Sequence, residues 1–340
     1  MGEPHRLIRL ALVALTSAFA GCGGVGNLTG GSQSMGATDR GGSRALPQTG
    51  HPHLYVAQGF YGQSAVYRFA LGADGLPAKV PDGELKLDFP FPGSIAVGRN
   101  GDLYVSSSGN GSGCEKNSCF VAAFAPGASQ SAKPIRRLYV PQVPLYVAVD
   151  QRGYLDVSTL EGGGKITNIY TPNAKGNDAP IAQITTPGIN ALGASHGIVY
   201  IQTIQIGTGV EGAAEHSSRQ PVYYTYGNNY SSDGVVTGGG DLYAQFYWPV
   251  KSGYDLATAV YHIDRPGSPI RTIVGTGCKV SRSGGALGYG LAVYKKYLFE
   301  GCVDANGSAG AVLVYDASKS GDQTPIMRLP GGDTGVAVGP

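Results

Sequence analysis

Apolar and polar positions along this chain alternate in short bursts, and beyond the first 21 residues no long stretch carries apolar spacing of helical period. Six bursts share one wording: Leu54-Tyr55-Val56, Leu103-Tyr104-Val105, Tyr154-Leu155-Asp156-Val157, Val199-Tyr200-Ile201, Leu242-Tyr243-Ala244 and Tyr297-Leu298-Phe299. Their starts lie 49, 51, 45, 43 and 55 residues apart. A period of this size marks a repeat architecture, in which each copy is one supersecondary unit that cannot bury its apolar faces alone.

Before most copies sits another apolar run ending near Gly or Asp, such as Ser94-Ile95-Ala96-Val97-Gly98, Tyr146-Val147-Ala148-Val149-Asp150 and Gly290-Leu291-Ala292-Val293-Tyr294. The joining segments are short, as in Arg99-Asn100-Gly101-Asp102 and Gln151-Arg152-Gly153. Asn-Gly between two such runs is a strong hairpin signal, because both residues tolerate positive φ. A third run follows each burst: Val66 to Phe69, Val121 to Phe124, Ile166 to Tyr170, Val222 to Tyr226, Ala259 to Ile263 and Val312 to Tyr315. A fourth opens on proline in Pro134-Ile135-Arg136, Pro180-Ile181-Ala182, Pro269-Ile270-Arg271 and Pro325-Ile326-Met327. Proline is tolerated at the first residue of a strand and suits an outer edge.

Each unit therefore reads as a four-stranded antiparallel meander, and radial stacking buries both faces of every sheet. The expected fold is all-β, a single six-bladed β-propeller over residues 51–340. The C-terminus supplies only a first strand, Thr334 to Val338, and the N-terminus three others, His53 to Val56, Val66 to Phe69 and about Leu85 to Phe89. The ring is expected to close by pairing the two ends, which leaves few free edges. The copy holding Val199 to Tyr226 is the weakest, since no fourth strand is legible in residues 227–233. Abundant glycine (55) and tyrosine (21) fit many turns and broad half-buried strands.

The order of an apolar strand ending in Val-Asp or Val-Gly, a turn, Leu-Tyr-Val, and an apolar strand ending in Tyr or Phe resembles NHL-type six-bladed propellers. The Pro-Ile-Arg variant of the last strand resembles a group of bacterial secreted propellers of unassigned role. The resemblance spans about residues 51–340 and implies a fold, not a reaction, because propellers host binders, scaffolds, lactonases and lyases alike.

Residues 1–21 carry a basic start with Arg6 and Arg9, then an apolar run from Leu10 to Ala20. That is the layout of a secretory signal, too short for a spanning helix. Phe19-Ala20-Gly21-Cys22 resembles a bacterial lipobox, with Phe19 where that motif prefers Leu. Cys22 is the expected lipidation site, carrying palmitate-type acyl chains. Several chains together give a stable membrane anchor where one would hold weakly. Gly23 after Cys22 resembles outer-membrane sorting in a Gram-negative cell, so the expected location is the extracytoplasmic cell envelope. Residues 23–50, rich in Gly, Ser, Thr and Gln, read as a flexible tether of about 30 Å reach. Leu46-Pro47-Gln48-Thr49-Gly50 matches a sortase pentapeptide but lacks that signal's C-terminal context.

Removing Cys22 leaves four cysteines, which allow three connectivities. Neighbouring pairs suggest Cys114–Cys119 and Cys278–Cys302. In an exported chain disulfides are favoured over a metal site, and no Cys-x-x-Cys or paired histidines stand nearby. The net charge is +2 and only 14% of residues are charged. No basic block marks a nucleic-acid footprint, and a monomer is expected.

Long insertions at Ser106 to Ser118, Gln205 to Gln220 and Phe246 to Leu256, with the blade-to-blade segment Gly275 to Gly288, fall on one face of a propeller, where function tends to sit. Phe246, Tyr247, Trp248 and Tyr254 are the candidate ligand-binding residues, offering aromatic faces to a sugar or peptide. The competing role for such aromatics is to cap a blade and cover its core. Glu211, Glu215 and His216 share one insertion, and Glu161, Asp255 and Glu300 follow or sit in the loops after second strands. No carboxylate or histidine recurs at a fixed blade position, so neither a calcium cage nor the paired histidines of a streptogramin-lyase-like site can be assembled. Gly207 to Gly212 matches GxGxxG without a following helix, and no GxSxG or Walker motif is present. His51-Pro52-His53 reads as the tether entering its first strand. No metal, cofactor or catalytic residue is expected. The leading expectation is a membrane-anchored, non-catalytic binding or scaffold module for a glycan, peptide or envelope protein. The alternative is a metal-dependent lactonase-like or lyase-like propeller enzyme.

Overall fold

The computed structural model describes residues 51–59, 64–108, 114, 117–161, 164–186, 191–195, 198–202, 210–214, 222–224, 230–250, 253–265, 267–280, 288–303, 310–332 and 335–340. All lie within one compact unit, Pro47–Pro340. The first sheet joins the two ends of the chain: β25 (Gly335–Gly339) pairs with β1 (His53–Gln58), followed by β2 (Ala65–Ala70) and β3 (Gly83–Lys86). The next sheet is β4 (Pro92–Val97), β5 (Leu103–Ser108), β6 (Cys119–Phe124) and β7 (Arg136–Tyr139). A third holds β8 (Pro144–Val149), β9 (Leu155–Glu161), β10 (Gly164–Tyr170) and β11 (Ala182–Thr186). A fourth holds β12 (Ala191–Ser195), β13 (Ile198–Gln202), β14 (Val210–Ala214) and β15 (Val222–Tyr224).

The remaining strands correct the expectation of six separate sheets. They form one nine-stranded sheet, so five hydrogen-bonded sheets are present. One half is the antiparallel meander β16 (Tyr230–Gly238), β17 (Asp241–Val250), β18 (Gly253–His262) and β19 (Arg271–Val280). The other is β20 (Gly288–Tyr294), β21 (Tyr297–Val303), β22 (Gly310–Asp316) and β24 (Met327–Pro330). A single parallel pairing, Asp233 with Tyr289, merges the halves, and β23 (Gly321–Gln323) adds a parallel strand outside β19.

Three further expectations shift. Val222 to Tyr224 is a fourth strand rather than a third, and the third is β14, inside the supposed insertion 205–220. Its small residues, Gly212-Ala213-Ala214, concealed it. Phe246 to Leu256 is an extension of the β17–β18 hairpin, paired continuously from Asp241–His262 to Val250–Gly253, not a loop. In the Pro-Ile segments regular pairing starts after the isoleucine, whose amide already donates to the third strand: Ile135 to Ala123, Ile181 to Ile169, Ile270 to Val260 and Ile326 to Val314, each at 2.8 Å.

The core lies between successive sheets. Tyr55, Val66 and Leu85 pack on Ile95, Val105 and Phe120, and Tyr104, Val121 and Leu138 pack on Val147, Val157 and Tyr170. The series closes on itself, because Phe299, Val312 and Leu329 pack on Leu54, Val56 and Phe69. Arginines after the Pro-Ile pairs tie neighbouring meanders. Arg136 donates to Asp102 (3.1 Å), to the Tyr104 hydroxyl (2.6 Å) and to the Pro172 carbonyl (3.4 Å) beyond β10. Arg271 repeats the pattern on Asp241 (2.9 Å), Tyr243 (3.4 Å) and the Ala317 carbonyl (2.9 Å) beyond β22.

Both expected cystine pairs are bonded. Cys114–Cys119 closes the approach to β6. Cys278 sits in β19, so Cys278–Cys302 links β19 to β21 and staples the two halves of the nine-stranded sheet. Two such bonds fit an oxidising, extracytoplasmic compartment.

Three outer strands, β3, β7 and β19, are covered by a loop of the next meander. Gln130 pairs in parallel with Leu85, Gly176 with Leu138, and Gly321 with Ile273. The Lys86 amide donates to Gln130 and the Tyr139 amide to Gly176, both at 2.7 Å. All three covering residues have positive φ, +53°, +58° and +80°, and each stands four residues before a Pro-Ile pair. Gln130 alone among them carries a Cβ, which the left-handed region penalises. Its side chain is exposed. Gln130→Gly is expected to raise the unfolding free energy of the full chain by about 1 kcal/mol, read by urea denaturation; an unchanged or lower midpoint would count against the strain.

Candidate functional site

The innermost strands β4, β8, β12, β16, β20 and β25 enclose a central channel with a cavity of about 580 Å³. Its wall is aliphatic, with Ile95, Val147, Leu192, Val235, Leu291 and Val336 among the lining residues. No Asp, Glu, His, Lys or Arg is among the described lining residues. The inner strands run from a mouth end, where they begin, to a turn end, where short hairpins lead into the second strands.

At the mouth end four inner strands bulge away from their partners, between Pro92 and Ile95, Pro144 and Tyr146, Ser231 and Val235, and Gly288 and Leu291. Bulges re-aim backbone and side chains and cluster near sites. Opposite two of them a polar second-strand residue fills the space that a glycine leaves. A Cβ at Gly93 would lie 2.7 Å from Ser106 Oγ, and one at Gly234 would lie 3.2 Å from Gln245 Oε1.

Ser106 and Gln245 belong to a layer that sequence reasoning overlooked. The position after each aromatic-apolar burst holds Ala57, Ser106, Ser158, Gln202, Gln245 and Glu300 in turn, and all are buried. Aligning the bursts would have found it. Ser106 donates to the Ser94 carbonyl (3.2 Å), and Ser94 Oγ accepts the Val147 amide from the next sheet (3.3 Å). On the other side Gln202 Nε2 donates to the Gln245 carbonyl, and Gln245 Nε2 donates to Glu300 Oε1 at 2.6 Å. The network thus runs around the ring from β13 through β17 to β21. Burial pushes the Glu300 carboxyl up to about 7 against the opposing hydrogen bond from Gln245. Burial first, and then the Glu300 charge, pushes the Tyr315 hydroxyl up as well.

Phe91 is the second feature that the sequence hid. It lines the channel, is 46% exposed, and has φ of +52°. A large aromatic in the left-handed region is uncommon, and such backbone gathers at ligand sites. No motif surrounds it in Pro90-Phe91-Pro92.

The sequence-predicted residues are only partly assembled. Phe246 is buried and meets Trp248 edge-on with ring centroids 5.9 Å apart. Trp248 is 39% exposed, and Tyr247 packs against the core between β16–β19 and β20–β24. Tyr254 pairs in register with Pro249. Phe246, Tyr247 and Trp248 are not among the described residues that line the channel. Glu211 belongs to β14 and Glu161 to the end of β9, while Asp255 stands opposite Trp248. Glu300 is in a strand and joins the buried network. His53 Nε2 contacts Asp82 at 3.2 Å, and burial holds its pKa below the usual range. Glu215, His216 and Cys22 lie outside the described residues. No three metal-ligating side chains converge among the described residues.

These sheets, stacked around an axial channel, define a β-propeller built of four-stranded antiparallel blades. No protein-family model matches the chain, and no curated protein matches it. Solved structures do. A protein of unknown function from Bacteroides caccae superposes with a TM-score of 0.53 at 10% identity, covering 85% of this chain and 99% of that one. A protein from Lactobacillus plantarum gives 0.50 at 15% identity, over 85% and 99% of the two chains. A provisionally named 6-phosphogluconolactonase from Bacteroides uniformis gives 0.50 at 12% identity, over 82% of each. At such identities the likeness is one of fold.

Because Glu300 holds a proton that the unfolded chain releases, its stabilising neutral form is complete below the usual carboxylate range and is lost as pH rises through about 7. Glu300→Gln, which keeps an acceptor for Gln245, is expected to match the parent near pH 4.5 and to exceed it at pH 8 by about 3 kcal/mol. Urea denaturation of both chains across this range tests it; parallel pH curves would refute the buried-carboxyl assignment.

Proposed function

We propose that this chain is an extracytoplasmic NHL-like six-bladed propeller, anchored through a lipid on Cys22 and a tether to residue 50, that acts as a non-catalytic binding or scaffold module. Six inner strands around one channel support the blade number, since the nine-stranded sheet divides into two meanders at a single pairing. The disulfides support an exported chain. The lipid anchor rests on the sequence around Cys22.

The observation that carries the binding role is the uncharged, aliphatic channel mouth with Phe91 presented in a strained backbone. Cavities of this size and polarity accept small or extended apolar groups and orient them with a few polar contacts. Inner strands bulged away from their ladder add backbone amides and carbonyls near the same opening. Among the glycan, peptide and envelope-protein ligands open to such a module, an uncharged peptide segment fits best, its side chains on the wall and its backbone at the bulges. Trp248, with Phe246 behind it and Tyr247 and Tyr254 nearby in the hairpin, offers a second contact surface. A metal-dependent lactonase-like or lyase-like role would need carboxylates or imidazoles from several blades around one ion, and the described channel wall supplies none.

The test is capture of an array of short uncharged peptides by the full chain. Phe91→Ala is expected to weaken the peptides retained by at least about tenfold, the scale of losing one well-packed aromatic anchor. Undiminished binding by a folded Phe91→Ala chain, with loss on Trp248→Ala, would move the ligand to the hairpin.

A further inference from the structure

Four isoleucines occupy one repeated position at the turn end, immediately before the outermost strands. Ile135 is 54% exposed, Ile181 47%, Ile270 44% and Ile326 51%, and Val80, in the β2–β3 loop at the same end, is 72% exposed. The four isoleucine amides are fixed by the 2.8 Å bonds to the third strands, so these are apolar side chains held on paired backbone, not loop tips. Exposed large apolar residues set at one level around a ring call for a partner that meets them together.

Two observations identify that partner. The chain from the N-terminal segment enters at this end: Pro52 precedes β1, accepts the Leu71 amide at 2.9 Å, and stands beside the start of the β2–β3 loop. Among the described residues, the exposed cations in the hairpins and loops of this end, Arg99, Lys175, Lys295 and Lys296 among them, outnumber the exposed carboxylates there, while Lys133 and Lys319 are paired with Asp88 and Asp316. Apolar side chains interspersed with lysine and arginine suit the headgroup boundary of an anionic bilayer, where each cation near the surface adds attraction.

We infer that the turn end is a membrane-docking face: the isoleucines enter the headgroup region of an anionic lipid surface, and the channel mouth faces away from it. The choice of a lipid surface rests in part on the lipid-anchor reading, since an anchor near residue 22 brings this end to the bilayer.

The experiment uses the full chain carrying Cys22→Ser, so that no acyl chain contributes. Its flotation is measured with vesicles of phosphatidylethanolamine and phosphatidylglycerol, and with phosphatidylcholine alone. The chain is expected to float with the anionic vesicles, less at high salt, and the Ile135→Ser, Ile270→Ser double variant is expected to bind about tenfold less. Thermal unfolding checks that both chains are folded. An Ile181→Trp chain gives a second readout, since the native tryptophan lies in the β17–β18 hairpin at the other end: its emission should shift to the blue on anionic vesicles. Equal flotation of parent and double variant, or an unshifted Ile181→Trp signal, would overturn the inference. So would an isoleucine-dependent dimer in sedimentation, which would assign the face to a second copy. Detergent-phase partitioning of the chain with native Cys22 tests the anchor separately: a chain that is not lipidated but floats through its isoleucines loses the anchor and keeps the docking face.

Discussion

The constraint on which the rest of this structure depends is the outer edge of each meander. A four-stranded sheet presents a row of unpaired amides and carbonyls on its last strand, and such edges recruit other chains. Here the loop before the next outermost strand folds back and pairs in parallel with that edge, through Gln130 on β3, Gly176 on β7 and Gly321 on β19. Antiparallel neighbours would have needed a further strand, whereas a single left-handed residue turns the loop into register. Because the covering residue belongs to the following meander, edge protection and ring assembly are one interaction. The Arg136 and Arg271 bridges to Pro172 and Ala317 act across the same boundaries.

Fixing the outer boundaries frees the inner strands. They bulge at the mouth end, and the polar layer of Ser106, Gln202, Gln245 and Glu300 occupies the level where the ladders break. Buried polar groups cost free energy unless they are paired, and these pairs run between meanders as well as within them. No charged side chain is among the described channel-lining residues, and Ser106, Gln245 and Glu300 form hydrogen bonds within the wall. An apolar channel within a polar collar is the outcome, and Phe91 stands at its rim.

Much of this was legible in the sequence, though unevenly. The bursts, the hairpin turns and the Pro-Ile openings repeat because each sits where packing or a fixed φ leaves little choice, and the closure of β25 on β1 follows from the incomplete copies at the two ends. The copy around Val199 was misregistered because Val210–Ala214 carries glycine and alanine where other copies carry valine and tyrosine, so the tyrosine-rich fourth strand was read as the third. The hairpin of β17 and β18 reads as an insertion in the sequence because aromatics and Pro249 interrupt its alternation. The covering residues were hidden by their chemistry: one is glutamine and two are glycine, and only their spacing from Pro-Ile unites them. The aromatic cluster was found but not its burial, since period-2 alternation places Phe246 and Tyr247 on opposite faces and either face of a propeller blade can be core.

The two halves of the ring share the arginine bridges but differ in what else crosses their boundaries. From β12 to β24 the meanders share the Gln202–Gln245–Glu300 chain, the Asp233–Tyr289 pairing and the Cys278–Cys302 bond. From β25 to β11 the polar layer shrinks to Ser106 and Ser158, and the meanders are joined by the Arg137 and Lys133 contacts to Asp88 (2.8 and 3.2 Å), by the Arg136 bridge to Pro172, by aromatic packing such as Phe89 on Phe120 (5.0 Å between centroids) and by the loop pairings at Leu85 and Leu138. Charged contacts thus cross boundaries in both halves, and the covalent link between meanders, Cys278–Cys302, belongs to the first. Phe91 is set on the second half, in the link from β3 to β4. Under the proposed binding role, a ligand entering the mouth would therefore meet Phe91 on the side of the ring away from the half that Cys278–Cys302 staples.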